Sequence, residues 1–205
     1  LAEVWSSILP GDTLHAYYNE YGSLALLAVL PGTSISHANT FVYGIATSAN
    51  IPSEYKIVKN GAVIDPSGLK KYDVVTLDAA NRQALDSDTR VSGRYSEGGP
   101  TVSYPQEVKV YGNSFRISDS AAAFFKDMKL KDYITLLFDA DGNVAAAYPR
   151  STVSADMQGI VTAIDESKAT VTLTNGITLR NMDIDKLDKP TALMGRLVSV
   201  STNGD

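Results

Sequence analysis

The sequence predicts a mainly β protein made of tandem small β-barrel-like units, of OB-like or SH3-like type, with one or two short helices. Two observations support this prediction. A strand–turn–strand pattern recurs along the chain, and short strand-like runs ending at Asn/Gly turns lie between its copies. The clearest copy spans residues 130–144, where two apolar runs flank the turn Asp139–Gly142. Because recurrence at a nearly fixed period is the sign of an array of similar units, we expect a repeat protein.

The period of the repeat follows from four polar positions that can be taken as equivalent. They are Asp12, Asp73, Asp132 and Arg196. By subtraction (73−12, 132−73 and 196−132) the steps are 61, 59 and 64 residues. Two positions later each copy carries an apolar residue, followed by a histidine or a hydroxyl residue. The apolar set is Leu14, Val75, Ile134 and Val198, and the polar set is His15, Thr76, Thr135 and Ser199. Period-two alternation predicts that the apolar set is buried in every unit.

The copies divide the chain into four predicted units: a partial β unit at 1–35, a β unit at 36–87, a β unit with a short helix at 88–154, and a β unit at 155–205. We call these the first to fourth units. We expect the first unit to be the end of a unit whose opening strands are absent or lie in Ala2 to Ile8. The chain begins with Leu in mid-unit, so we also expect it to be a segment of a longer protein.

Within each unit the elements can be predicted in order. The second to fourth units open on a strand-like run containing glycine, at Gly44, Gly93 and Gly159, where we expect a bulge or bend. Two short strands joined by an Asn/Gly turn follow, and then the strand–turn–strand copy as a β-hairpin. About five strands per ~60 residues fits a small barrel.

Two stretches of the third unit and one of the fourth depart from strand character. The loop Ser96 to Pro100 is too rich in Gly and Pro to be a strand. Ser118 to Lys126 carries the best helix signal, with Ser118 or Asp119 as cap and three alanines of high propensity, and Phe124 and Phe125 are expected to pack on the barrel. A shorter helical turn is expected at Asp183 to Leu187.

Composition excludes several classes of function. The net charge of −5, from 18 basic and 23 acidic residues, opposes a nucleic-acid groove, which needs a basic face. The sequence has no cysteine, so disulfides, thiol catalysis and thiolate metal sites are excluded. The longest apolar run, Leu24 to Leu30, is far below the ~20 residues that span a bilayer, so we expect a buried strand and no membrane insertion.

The turn Asp139–Asn143 resembles the start of a calcium loop. An EF-hand needs glycine at loop position 6 and glutamate at position 12. Here the glycine is fourth, and position 12 is Arg150. Asp and Gly are the residues that hairpin turns use, so a hairpin turn is the favoured interpretation.

No other polar group predicts a reaction. His15 and His37 are the only histidines, and a single histidine without fixed partners is not a zinc site. No Gly-x-Ser-x-Gly elbow holds a serine nucleophile. The acidic cluster Asp183, Asp185 and Asp188 could supply paired carboxylates for glycoside hydrolysis, but a solvated helix start is favoured. We expect no catalytic, cofactor-binding or metal-binding residue, and no cofactor.

Tyrosines give the strongest indication of a binding surface. Tyr17, Tyr18 and Tyr21 lie close together in a chain with 11 tyrosines. Exposed tyrosines can stack on sugar rings or bury a partner. Since alternation places Tyr17 and Tyr18 on opposite faces, at least one of them is expected in the core.

Three runs resemble the β-rich regions of S-layer-homology-domain proteins, which are cell-surface proteins of Gram-positive, clostridia-type bacteria. They are residues 55–61, 69–78 and 132–145, and the resemblance covers most of residues 40 to 150. It implies an extracellular module at the cell surface or cell wall. Partners would be cell-wall polysaccharide, other surface proteins or further copies. The function we expect is a non-catalytic spacer and interaction module, and the alternative is a carbohydrate-binding or glycan-active module.

Overall fold

The computed structural model describes residues 13–30, 40–45, 51–184 and 190–200. Within these ranges the protein is mainly β, as predicted. Strands β1 to β17 are, in order, Thr13–Tyr18, Leu24–Leu30, Thr40–Val42, Lys56–Lys59, Ala62–Ile64, Val74–Asp78, Gln83–Ser87, Arg90–Arg94, Glu97–Gly99, Glu107–Val110, Asn113–Arg116, Tyr133–Phe138, Val144–Pro149, Met157–Asp165, Lys168–Leu173, Thr178–Asp183 and Leu197–Val200. Short 3-10 helices are formed by Pro66–Gly68, Asp119–Phe125 and Pro190–Leu193.

The described strands form five sheets whose hydrogen-bond order is open at both edges. The first unit contributes the hairpin β1-β2, and the second a mixed sheet in the order β3-β6-β7-β4-β5. The third unit contributes the sheets β13-β12-β8 and β11-β10-β9, and the fourth the sheet β16-β15-β14-β17. Among the described strands every pairing is antiparallel except that of β4 with β7, and an isolated parallel bridge joins Ile117 to Val144.

The predicted hairpins are confirmed in the first three units. They are β1-β2, β6-β7 and β12-β13. The first and third hairpins share a register shift at the same repeat position, between Tyr17 and Tyr18 and between Leu137 and Phe138. In the fourth unit β17 pairs with β14, and the residues after Val200 lie outside the described part. The repeat position also keeps its partner, because Val75, Ile134 and Val198 each lie opposite the unit's opening strand.

The turn before the repeat strand has the same backbone conformation in the second, third and fourth units. Tyr72, Lys131 and Gly195, which precede the repeat's polar position, all have positive φ, at 71°, 79° and 70°. In the second and third units the aspartate carboxylate accepts the N–H three residues back, at 3.0 and 2.8 Å. The fourth unit has Arg in place of the acid, but its Gly195 adopts positive φ without strain.

Burial of the repeat's apolar position is confirmed in two units. Val75 and Ile134 are buried, at 0% and 1% exposure. Val198 is only half-buried, so the prediction is wrong there, because β17 is an edge strand of its sheet. Leu14 lies on β1, and its side chain is outside the described part. The largest apolar core joins the third and fourth units, and smaller clusters lie within the second unit and between the second and third.

Two predicted elements are corrected, and a third lies mostly outside the described residues. Ser96 to Pro100 is not a pure loop, since Glu97–Gly99 pairs with β10 as strand β9. The helix of the third unit is a 3-10 helix, and Ser118 does not cap it with its side chain but donates a hydrogen bond to the Val144 carbonyl at 3.1 Å. Of its two phenylalanines, Phe125 is buried and Phe124 is 37% exposed. In the fourth unit Asp183 ends strand β16, residues 185–187 of the expected helical turn lie outside the described residues, and Pro190–Leu193 forms a 3-10 helix.

The glycines of the opening strands serve close packing, not the predicted bulge. The pairing of β8 with β12 has no register shift at Gly93, and the shift in β14 comes after Gly159. A Cβ on Gly93 would lie 2.2 Å from Val110 Cγ1, and one on Gly159 would lie 2.5 Å from the Thr172 carbonyl oxygen. Gly44 differs from both, because it lies in the turn after β3 with φ of +73°.

We expect the substitution Gly159→Ala to lower the free energy of unfolding by about 1–3 kcal/mol, since the new methyl group meets backbone atoms that cannot rotate away. Gly99→Ala is the matched control, because nothing lies within 4 Å of the Cβ position there. Urea unfolding of both variants checks the prediction. Equal midpoints for the two would show that β14 and β15 can separate freely at this point.

Candidate functional site

The calcium-like turn is a hairpin turn, as favoured from the sequence. Asp139 Oδ1 accepts the N–H groups of Asp141 and Asn143, at 3.0 and 2.9 Å. The first hairpin has the same turn with asparagine in place of aspartate: Asn19 Oδ1 accepts the N–H groups of Tyr21 and Ser23, at 3.0 and 2.9 Å. An amide oxygen therefore does the same work as the carboxylate, so the position needs an acceptor and not a metal-binding charge.

Of the other polar candidates, only Asp183 has a side chain that the structure describes. His15 lies on β1, and its side chain is outside the described part, as is the whole of His37. Asp183 lies on β16 and pairs with Lys168 at 3.2 Å, both side chains being about half exposed. Asp185 and Asp188 fall outside the described residues. Among the described residues no group of three or more His, Cys, Asp and Glu could hold a metal ion.

The prediction that Tyr17 or Tyr18 belongs to the core is wrong. Tyr17, Tyr18 and Tyr21 are 52%, 66% and 83% exposed. The repeat equivalents of the first two, Leu137 and Phe138, are buried at 0% and 1%. Two hairpins with the same register shift therefore have different surroundings. Alternation along a strand separates its two faces, but it does not show whether other residues cover either of them.

The structure reveals an aromatic groove on the third unit that the sequence analysis missed. The cavity has a volume of about 480 Å³ and lies between the end of the 3-10 helix and the strands β12 and β13. It is lined by Phe124, Asp127, Met128, Asp132, Tyr133, Ile134, Ala147, Tyr148 and Pro149. We refer to these residues as the groove. Phe124 and Tyr133 are each 37% exposed, and the two aspartates are exposed beside them.

The groove combines flat apolar rings with hydrogen-bond acceptors. Phe124 and Tyr148 pack with their centroids 5.5 Å apart, and the Asp132 carboxylate is held at the rim by the Lys129 N–H. Such a lining suits a ligand with an apolar face and hydroxyl groups around its edge. The groove residues are separated by up to 25 positions in the chain (124 to 149), so only folding shows their convergence.

A second cavity of about 480 Å³ lies where hairpin turns of the second, third and fourth units meet. Asn60, Asp139 and Asn175 are among its lining residues, together with Asp86. The Asp86 side chain has no exposed surface, and its Oδ1 has no hydrogen-bond partner. Because a ligand in the cavity cannot reach that carboxylate without rearrangement, the aromatic groove is the better candidate for binding.

A buried charge cluster lies between the second and third units. Lys59 Nζ lies 2.9 Å from Asp73, 2.9 Å from Asp86 and 3.0 Å from Asp88. Arg90, which begins the third unit's first strand, bonds the other oxygen of Asp73 at 3.0 Å. Three carboxylates thus share two cations, and the cluster joins the end of one unit to the start of the next.

The pKa values of Lys59 and Asp86, which form one ion pair of this cluster, are both raised, but for different reasons. Burial alone would lower the pKa of Lys59, but its bonds to the three carboxylates outweigh burial and raise that pKa above 10.5. Burial raises the pKa of Asp86, and the Lys59 bond only partly offsets this. One ammonium is shared by three carboxylates, so the cluster favours the charged form of Lys59, while burial disfavours the charged form of Asp86.

We expect stability to fall as the pH rises above about 10, because groups in the folded protein hold their protons more tightly than in the unfolded chain. Burial raises the pKa of Tyr95 and of Tyr111 to about 12. The folded-state pKa of Lys59 is also raised, so its contribution is present below 10.5 and is lost above it. Urea midpoints measured from pH 8 upwards check this. Tyr95→Phe should make the decline shallower, and a flat profile in the wild type would contradict the prediction.

No protein-family model matches this chain, and no curated protein matches it. In the part of the chain that the structure describes, no helix has the length and apolar character needed to cross a membrane.

Proposed function

We propose that this chain is a non-catalytic extracellular spacer and interaction module of a bacterial cell-surface, S-layer-associated protein. The observation that supports it is the way in which consecutive units are joined. A spacer works through its length and stiffness, so neighbouring units must hold a fixed angle. Both described junctions carry buried contacts that would do this.

The junction of the second and third units is both apolar and ionic. Val42 and Val74 of the second unit share a buried cluster with Leu137, Ala146 and other residues of the third. The buried charge cluster lies at the same junction. Moving one unit against the other would expose apolar side chains and separate ion pairs in which the Asp73 and Asp86 carboxylates have no exposed surface.

The junction of the third and fourth units is fixed through its linker. The Ala155 N–H donates to Ser92 Oγ at 3.0 Å, and Ser92 and Thr135 hydroxyls lie 2.6 Å apart. Thr135 Oγ1 in turn donates to the Val153 carbonyl, so Ser92 must donate to Thr135. This chain of hydrogen bonds starts and ends on the linker 151–155 and ties it to the sheet of the third unit.

We also infer that the units are variants of one small barrel type, OB-like or SH3-like, with the boundaries 36–87, 88–154 and 155–205. The three units share an opening strand, two strands joined by a turn, a 3-10 helix and the repeat strand, and the third unit has the additional strand β9 after its opening strand. In each, the opening strand pairs with the repeat strand after the 3-10 helix. That pairing joins the opening strand of a unit to the repeat strand near the unit's end, which favours a curled sheet.

Small-angle scattering tests the spacer proposal. We expect an elongated particle with a radius of gyration above the ~17 Å of a compact 205-residue globule. Ser92→Ala should broaden the distribution of distances within the particle, because it leaves the Ala155 N–H without its acceptor and loosens the linker. A spherical profile for the wild-type chain would count against the spacer function.

A carbohydrate-binding module is the second candidate, and the aromatic groove favours it. Aromatic faces stack on the apolar faces of sugar rings, while carboxylates accept hydrogen bonds from their hydroxyl groups. Screening the chain on an array of neutral oligosaccharides tests this candidate. Binding that is lost in Tyr133→Ala supports it, and an array without signal rejects it.

A further inference from the structure

The aromatic surface does not end at the groove of the third unit. Tyr148, which lines the groove, packs edge-on against Tyr72 of the second unit with centroids 5.3 Å apart. Lys71 Nζ lies 5.1 Å above the ring of Tyr72. We call the row Tyr133, Phe124, Tyr148 and Tyr72 the aromatic strip. It crosses the junction between the second and third units.

The part of the strip contributed by the second unit is held in place by its backbone. Tyr72 is the positive-φ residue of the repeat turn, at 71°, and the adjacent Asp73 closes that turn and anchors the buried charge cluster. Tyr72 and Tyr148 also pack on the apolar cluster shared by the two units. The strip therefore requires both units in the relative position that the charge cluster holds.

We propose that the aromatic strip binds one extended, neutral saccharide chain across the junction of the second and third units. This rests on the second candidate function, carbohydrate binding, and adds to it the length and path of the ligand. The ring centroids of Phe124 and Tyr148 are 5.5 Å apart and those of Tyr148 and Tyr72 are 5.3 Å apart, so this row of three rings is longer than one sugar ring. A single sugar would fill the groove and leave Tyr72 uncovered.

The charges along the strip favour a neutral ligand. Asp127 and Asp132 lie at the groove end, and Lys71 lies at the Tyr72 end. A basic peptide would meet Lys71, and an acidic polymer would meet the two aspartates. Hydroxyl groups of a neutral saccharide can donate hydrogen bonds to the carboxylates and accept them from the ammonium, so both ends of the strip can contribute to binding.

The test is titration of the whole chain with neutral β-1,4-linked glucose and N-acetylglucosamine oligomers of increasing length. We expect affinity to rise by about tenfold from dimer to hexamer. Tyr133→Ala should weaken binding at every length by about tenfold, equivalent to about 1.4 kcal/mol. Tyr72→Asn should remove only the gain with length, and asparagine keeps the positive φ that the turn needs. Tyr72→Phe should behave like the wild type because it keeps the ring.

Tyr104→Ala is the matched control, since Tyr104 is a 52% exposed tyrosine of the third unit outside the strip. Binding that does not grow with length, or a Tyr72→Asn variant indistinguishable from this control, overturns the extended site while leaving carbohydrate binding intact. Absence of binding by the wild-type chain to every oligomer rejects both. Binding of an arginine-rich peptide in place of the saccharides also overturns the proposal.

Discussion

Replacing Lys59 by methionine is expected to lower the free energy of unfolding by about 3–5 kcal/mol, because breaking a buried ion pair from one side leaves uncompensated charge. Lys59 is the ammonium within 3.0 Å of Asp73, Asp86 and Asp88. Methionine has a similar length but no charge. Asp73 keeps its bond to Arg90, and Asp86 is left buried with no cation beside it among its described contacts.

Urea unfolding measures this effect, and two further variants serve as comparisons. Lys168→Met removes an ion pair with Asp183 in which both side chains are about half exposed, and it should cost less than about 1 kcal/mol. Lys59→Met combined with Asp86→Leu should recover part of the lost stability, since it removes the most buried of the stranded charges. A cost for Lys59→Met as small as that of Lys168→Met would show that water reaches the cluster and that it does not hold the junction.

Local features of the fold could be predicted because they depend on neighbours in the chain. The hairpin turns use Asn, Asp and Gly where positive φ or an acceptor is needed, as at Asp139 and Gly142. The period between Asp73 and Asp132 identifies turns that share the same hydrogen bond and the same backbone conformation. The alternation of one buried and one exposed face is not found in β12, because all residues from Ile134 to Phe138 are buried.

Features that depend on distant residues could not be predicted. Lys59 and Arg90 lie 14 and 17 residues from Asp73, with no sequence pattern that joins them. Gly93 and Gly159 carry the signal of a bulge, but their absent side chains make room for neighbours from other strands. The groove is likewise assembled from a 3-10 helix and two strands. Aromatic residues at 124, 133 and 148 show no period, and only their convergence makes them a candidate site.

The repeat allows one sequence position to be compared in two different surroundings. Phe138 and Tyr18 occupy the same repeat position, next to the same register shift and the same turn. Phe138 is 1% exposed and lies in the core shared by the third and fourth units. Its ring centroid is 5.2 Å from that of Phe115. Tyr18 is 66% exposed.

Phe138→Ala is therefore expected to lower the free energy of unfolding by about 3–5 kcal/mol, through lost burial and the cavity left beside Phe115. Tyr18→Ala should change it by less than about 0.5 kcal/mol, because an exposed ring loses little on truncation. Urea unfolding of the two variants decides between equal and unequal units. If Tyr18→Ala proves as costly as Phe138→Ala, the first hairpin is covered in solution, and its face belongs to a core as Phe138 does. If only Phe138→Ala is costly, one repeat sequence serves as core in one unit and as free surface in another.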